Sequence, residues 1–158
     1  MTSEQAISSV KKDYQIKNVK TFMGMDFHGY NLSLYKGKTK IAEVINDGSG
    51  GMTYFQYTNQ EVQKEFETML KSLPKYYDSD FGEESEIDDE TFVCILLDEY
   101  EFEKRLKREC KKKTLYRLKE YGPDQYGIIK SEFTPKVKEY LITKYRDNLV
   151  EIVNERFN

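Results

Sequence analysis

The chain has 158 residues, a length suited to one ordinary core that buries about two-thirds of the surface its unfolded form exposes. Charged residues make up 34% and apolar ones 38%, and 13 Tyr with 9 Phe supply large apolar bodies that a disordered chain lacks. A net charge of −3 excludes a globally basic footprint for nucleic acid, and no run approaches the roughly 18 apolar residues of a membrane span.

Residues 1–13 are polar with a weak helical spacing of Ala6, Ile7 and Val10, and read as a flexible N-terminal arm before a single domain over 14–158. Met1 leads into Thr2, Ser3 and Glu4, not into a basic segment followed by an apolar one, so neither export nor anchoring is expected. From Ile16 to Tyr57, short runs rich in Val, Ile, Tyr and Phe alternate with glycine-bearing turns, which predicts consecutive hairpins. The strands are expected near 15–23, 29–36, 39–46 and 52–57, with Gly37-Lys38 as a two-residue turn.

The period changes at Thr58, whose hydroxyl and the Glu61 carboxylate form the pattern of a capping box. Val62, Phe66, Met69, Leu70 and Leu73 follow helical spacing to Pro74, predicting a helix over 59–73. A second helix is expected from about Asp88 to Lys113, with Phe92, Ile95, Leu96, Phe102, Leu106 and Cys110 inward and its terminal charges matched to the dipole. Cys94 and Cys110 both fall on it, so continuous helix would hold them roughly 24 Å apart, beyond disulfide reach. Unpaired thiols fit a reducing cytoplasm, and a single histidine leaves no Cys/His set for zinc; no cofactor is expected.

Residues 114–118 and 126–130 read as two further strands around a loop broken by Gly122-Pro123. Thr134 then caps a last helix with Pro135 at its first position, and Val137, Leu141, Tyr145, Leu149 and Ile152 continue it. The order β-β-β-β-α-α-β-β-α predicts an α+β fold, an antiparallel sheet of N-terminal hairpins with helices packed on one face.

Four features offer chemistry. The loop Asp47, Gly48, Ser49, Gly50, Gly51 can expose backbone N–H groups to an anion, although a glycine-rich hairpin turn uses the same residues. His28, beside Asp26, is a candidate base or ligand, and a surface turn histidine reads the same way. Eight acids and no base occupy residues 78–90. Of these Asp78, Asp80, Glu83, Glu84 and Glu86 are candidates for protein binding or phosphate mimicry, against the reading of a solvated loop. They lack the ligand spacing of a calcium loop. Residues 104–113 hold seven bases and one acid, and Lys107, Arg108, Lys111 and the later Arg117 are candidate phosphate ligands, with Tyr116 available for stacking. No nucleophile has a partner base, so an enzyme is not the expected class; the remaining enzymatic reading is a small hydrolase at His28 and Asp26.

Phe22-Met23-Gly24 through Gly29-Tyr30-Asn31, then Lys38, Ala42-Glu43-Val44, Asp47, Gly50-Gly51, Lys113-Thr114-Leu115-Tyr116-Arg117-Leu118 and Pro135-Lys136-Val137-Lys138, resemble a group of small uncharacterised proteins of bacteriophages and other mobile elements. The likeness covers roughly residues 16–155 and assigns no residue a role. It implies a phage setting, in which accessory proteins act in the host cytoplasm by binding a defence protein, sequestering a signalling nucleotide or occupying a nucleic-acid machine. The expected function is therefore non-enzymatic binding of a host protein or a nucleotide-like small molecule, with nucleic acid as the rival partner and no membrane role.

Overall fold

A computed structural model describes residues 2–78 and 82–157, and the chain divides into two compact units, Met1–Asp98 and Glu99–Asn158. The first unit opens with helix α1 (Ser3–Lys11) where the sequence reads as a polar arm: Thr2 and Gln5 close a capping box, and Ala6 and Ile7 are buried. Strands β1 (Tyr14–Met23), β2 (His28–Lys36), β3 (Thr39–Asn46) and β4 (Tyr54–Tyr57) form an antiparallel sheet in sequence order. Register places Ile16, Leu34, Ala42 and Tyr57 on one face, and Leu32, Val44 and Phe55 beside them. A bulge at Asn18 and Val19, with Asn18 at φ 55°, shifts the pairing of β1 with β2 by one residue.

Helix α2 (Gln60–Ser72) lays Phe66 and Leu70 on that face, as the spacing predicts. Its cap is Asn59, whose side chain accepts from the Val62 N–H at 2.8 Å; the expected cap, Thr58, instead donates its hydroxyl to the Lys40 carbonyl of β3 at 2.8 Å. The acidic segment contains a short hairpin of β5 (Tyr76–Asp78) and β6 (Glu83–Ser85), an addition to the expected order. Helix α3 (Asp89–Glu109) begins with the Asp88 carboxylate accepting from the Thr91 N–H at 2.7 Å, and Phe92, Val93 and Leu96 complete the first core. Tyr14, Phe66 and Phe92 meet there with ring centroids 5.2 to 5.7 Å apart.

In the second unit, β7 (Thr114–Leu118) lies between β8 (Gly127–Ile129) and β9 (Leu149–Ile152), both antiparallel to it. Helix α4 (Pro135–Tyr145) packs Leu141 against Tyr116, Leu118 and Ile152, while Leu106 of α3 packs against Leu115 and Val153. The sequence predicts α4 running on through Ile152, but the helix stops at Tyr145. Arg146 takes φ 48°, and Leu149–Ile152 pairs with β7 as a strand. Among the described residues no helix is long and apolar enough to cross a membrane.

Candidate protein-docking surface

One end of the four-stranded sheet carries two loops, residues 24–27 between β1 and β2 and residues 47–53 between β3 and β4. The first closes on itself through the Gly24 N–H, which donates to the Phe27 carbonyl at 2.8 Å. It is then fastened to the second, because Phe27 and Asp26 both donate N–H groups to the Gly48 carbonyl, at 2.9 and 3.3 Å. Side chains shape that carbonyl's loop: Asn46 Oδ1 accepts from the Gly48 N–H at 2.9 Å, and Asp47 Oδ1 accepts from the Ser49 N–H and hydroxyl at 2.9 and 2.6 Å. Glycine is required at the crossing, since a Cβ on Gly48, at φ 75°, would lie 2.5 Å from the Phe27 carbonyl oxygen.

Fastened by backbone, the loops turn their large side chains outward. Met25 and Met52 are 95% and 94% exposed, and Met23 and Phe27 are exposed beside them. The outer sheet face continues the patch, with the Phe22 ring lying over Gly29, where an added Cβ would meet it at 2.4 Å, and with Ile45 and Tyr54 as an exposed cross-strand pair. Among the described residues, seven of 13 large exposed apolar side chains stand at this tip, so they form a patch and not the usual scatter. Residues 21–35 and 41–63 contain no Lys or Arg, whereas Asp26 and Asp47 sit in the loops themselves. The Ser49 hydroxyl and N–H hold the Asp47 carboxyl below the usual aspartate range and keep it charged.

Beneath the tip, a polar chain ties the second loop to the start of α3. Asn46 Nδ2 donates to Thr53 Oγ1 at 3.0 Å, and Thr53 Oγ1 donates to Glu90 Oε1 at 2.7 Å. Nearby, the Tyr57 hydroxyl donates to Asp89 Oδ2 at 2.9 Å, and Tyr30 Oη lies 4.0 Å from Cys94 Sγ. Burial raises the Tyr30 and Cys94 pKa values above their ordinary ones, so both groups are neutral at pH 7 and Cys94 is a thiol, not a thiolate. The arrangement positions a surface; it does not assemble a nucleophile and a base.

The residues singled out by sequence divide between the units. Asp47, Gly48, Ser49, Gly50 and Gly51 build the tip, but the N–H groups of Gly48 and Ser49 are accepted by Asn46 and Asp47, which takes two donors from any anion site there. His28 is exposed at the start of β2, opposite Met23. Glu83 and Glu84 are exposed on β6 and Glu86 follows them; Asp78 ends β5, and Asp80 lies outside the described residues. In the second unit Lys107 and Arg108 occupy the last turn of α3 and Lys111 the turn after it, all exposed. Arg117 is drawn into the fold: its guanidinium donates to the Gly122 carbonyl at 3.0 Å and lies 5.5 Å from the Tyr126 ring. Tyr116 is not available for stacking, being 8% exposed with its hydroxyl 3.0 Å from that of Tyr145.

No family model, curated protein or solved structure matches the chain.

The tip methionines and Phe27 are absent from the sequence-level candidates. The signal for them is local: Met25 and Met52 stand in glycine-bordered turns, outside any periodic stripe that would bury them.

Proposed function

We propose that this chain is a binding protein whose first unit captures a partner protein by seating the two-loop tip in an apolar cleft edged with Lys or Arg. The observation that carries this reading is the near-complete exposure of Met25 and Met52 on loops locked backbone to backbone. Burial of apolar area stabilises a complex by about 25 cal/mol per Å², and a pre-ordered loop pair loses little conformational entropy on docking. Methionine adapts its shape to an irregular cleft. The charge pattern selects the occupant: Asp26 and Asp47, in stretches of sequence without Lys or Arg, suit a basic rim on a protein and disfavour an anionic lipid surface. In the phage setting that the resemblance implies, the partner is a host protein, with a defence protein the first choice. Sequestration of a nucleotide-like signal at the glycine loop is the weaker version, because Asn46 and Asp47 already use the N–H groups of Gly48 and Ser49.

A photo-crosslinking residue at Met25, with one at Lys64 of α2 as the control, identifies the partner in cells, and the purified pair is then titrated. The double variant Met25→Asp, Met52→Asp is expected to weaken binding by roughly 30-fold or more, the effect of losing a hot spot, without lowering thermal stability. Equal crosslinking from Lys64, unchanged affinity of the double variant, or retention on anionic vesicles in place of a protein would each overturn the reading.

A further inference from the structure

A different surface lies on the second unit. Phe102, Leu106 and Cys110 turn one side of the C-terminal half of α3 into the cluster with Leu115 and Val153, which leaves Lys104, Arg105, Lys107, Arg108, Lys111 and Lys112 exposed. The stretch is held firmly. Asn154, 3% exposed, donates through Nδ2 to the carbonyls of Cys110 and Lys113 at 3.1 and 2.8 Å and accepts from the Leu115 N–H at 2.9 Å. Two nearby acids are committed elsewhere, Glu103 and Glu151 both pairing with Arg156 at 2.7 and 2.5 Å. The whole unit has 15 bases against 11 acids, a net +4, although the chain is acidic.

We propose that this cationic end of α3 binds the phosphodiester backbone of nucleic acid without regard to sequence. Two arguments select nucleic acid over an acidic protein. Residues 104–109 cover about 8 Å of the α3 axis and Lys111 and Lys112 carry the charge on into the turn beyond it, a span on the order of the three to four phosphates that a nucleic-acid strand presents at about 3.4 Å each. The apolar residues within the run face inward, so the exposed stretch offers charge without the apolar and aromatic centre that protein interfaces use. Affinity is then almost entirely counterion release, and specificity for bases is not expected.

The test is fluorescence anisotropy of the full chain with random-sequence single-stranded DNA, duplex DNA and single-stranded RNA. Three to four neutralised phosphates predict a fall in duplex affinity of about 40- to 150-fold between 50 and 200 mM salt. The quadruple variant Lys107→Gln, Arg108→Gln, Lys111→Gln, Lys112→Gln is expected to lose at least tenfold at 50 mM salt and most of the salt slope, while Lys107→Arg, Lys111→Arg, Lys112→Arg retains both. Should the quadruple variant fail to fold, Lys111→Gln alone is expected to reduce the slope by about one. Absence of binding at 50 mM salt, full binding by the folded Gln variants, or polyglutamate competing as well as DNA would overturn the proposal.

Discussion

The two units present opposite surfaces and are built by different means. Residues 1–98 carry 10 bases and 17 acids, net −7, and close around aromatic rings, with Tyr14, Phe66 and Phe92 in mutual contact. Residues 99–158 carry net +4, and their core is supplemented by polar fastenings, the Asn154 clamp and the Arg156 pairs with Glu103 and Glu151. Exposed apolar side chains follow the same division among the described residues: in the first unit most gather at the sheet tip, while in the second Tyr100, Ile128, Tyr140, Ile142 and Val150 are spread over α3, β8, α4 and β9. A unit with a self-sufficient apolar core leaves its loops available for recognition. A smaller one uses the bonds of the buried Asn154 to hold its helix end in place, with the Arg156 pairs at the surface.

The two units differ most in what fills their cores. Phe66 is 1% exposed and touches Tyr14, Tyr57 and Phe92, so Phe66→Ala is expected to cost about 3–5 kcal/mol in urea unfolding followed by circular dichroism. A loss below about 1 kcal/mol would mean that the ring cluster does not carry the first unit. The matching change in the second unit is polar. Asn154→Ala leaves the Leu115 N–H and the Cys110 and Lys113 carbonyls without that partner and is expected to cost about 2–3 kcal/mol, with amide exchange rising first around residues 110–115. A smaller penalty, under about 0.5 kcal/mol, would mean that the Asn154 bonds do not hold the second unit together.

Much of the first unit was legible because its signals are periodic. Alternation along Tyr30 to Leu34 and helical spacing from Val62 to Leu73 each specify a face, and the structure uses those faces. Elsewhere one residue decides between neighbouring options. Thr58 and Asn59 can both cap α2, and it is the position of the Lys40 carbonyl on another strand that diverts Thr58. Leu149 and Ile152 suit either a continued helix or a strand, and the reversal at Arg146 carries no glycine to announce it. The division between the units falls inside α3, where no linker composition marks it. At the tip, the glycines are visible in the sequence but their use is not: backbone contact between residues 21 and 22 positions apart depends on the paired register of β1 to β4.

Gly48→Ala sharpens the link between that backbone contact and the exposed patch. The left-handed conformation costs about 1–2 kcal/mol for a non-glycine residue, and the new methyl group would meet the Phe27 carbonyl and Gly24 Cα at 2.5 and 2.8 Å. The expected outcome is a modest loss of stability with separation of the loops, read as faster amide exchange at Asp26 and Phe27, whose N–H groups lose the Gly48 carbonyl. Unchanged exchange at both amides would show that the loops are held by something other than this crossing.

The smallest expected effect is the response of the tip to acid, and it separates the two units by the partner that each carboxylate uses. Asp47 is held below its ordinary pKa by the Ser49 hydroxyl and backbone N–H, while Glu151 is held below its own by Arg156. A carboxylate whose folded pKa is depressed contributes stability that is fully present above the unfolded value, near 3.9 for aspartate, and is lost as pH falls through the folded value. The loop bond at Asp47 is therefore complete from pH 7 down to about 5 and weakens only below about 4. Because Asp47 is fully exposed, the change is local and global stability hardly registers it. The Ser49 amide shift in NMR reports the bond directly. Its titration midpoint should fall below the ordinary aspartate value in the parent chain and vanish in Asp47→Asn, where the side-chain oxygen still accepts from Ser49 but no longer titrates. A midpoint at or above the ordinary value would mean that Ser49 does not hold the carboxylate, and the second loop would lose one of the two side chains that shape it.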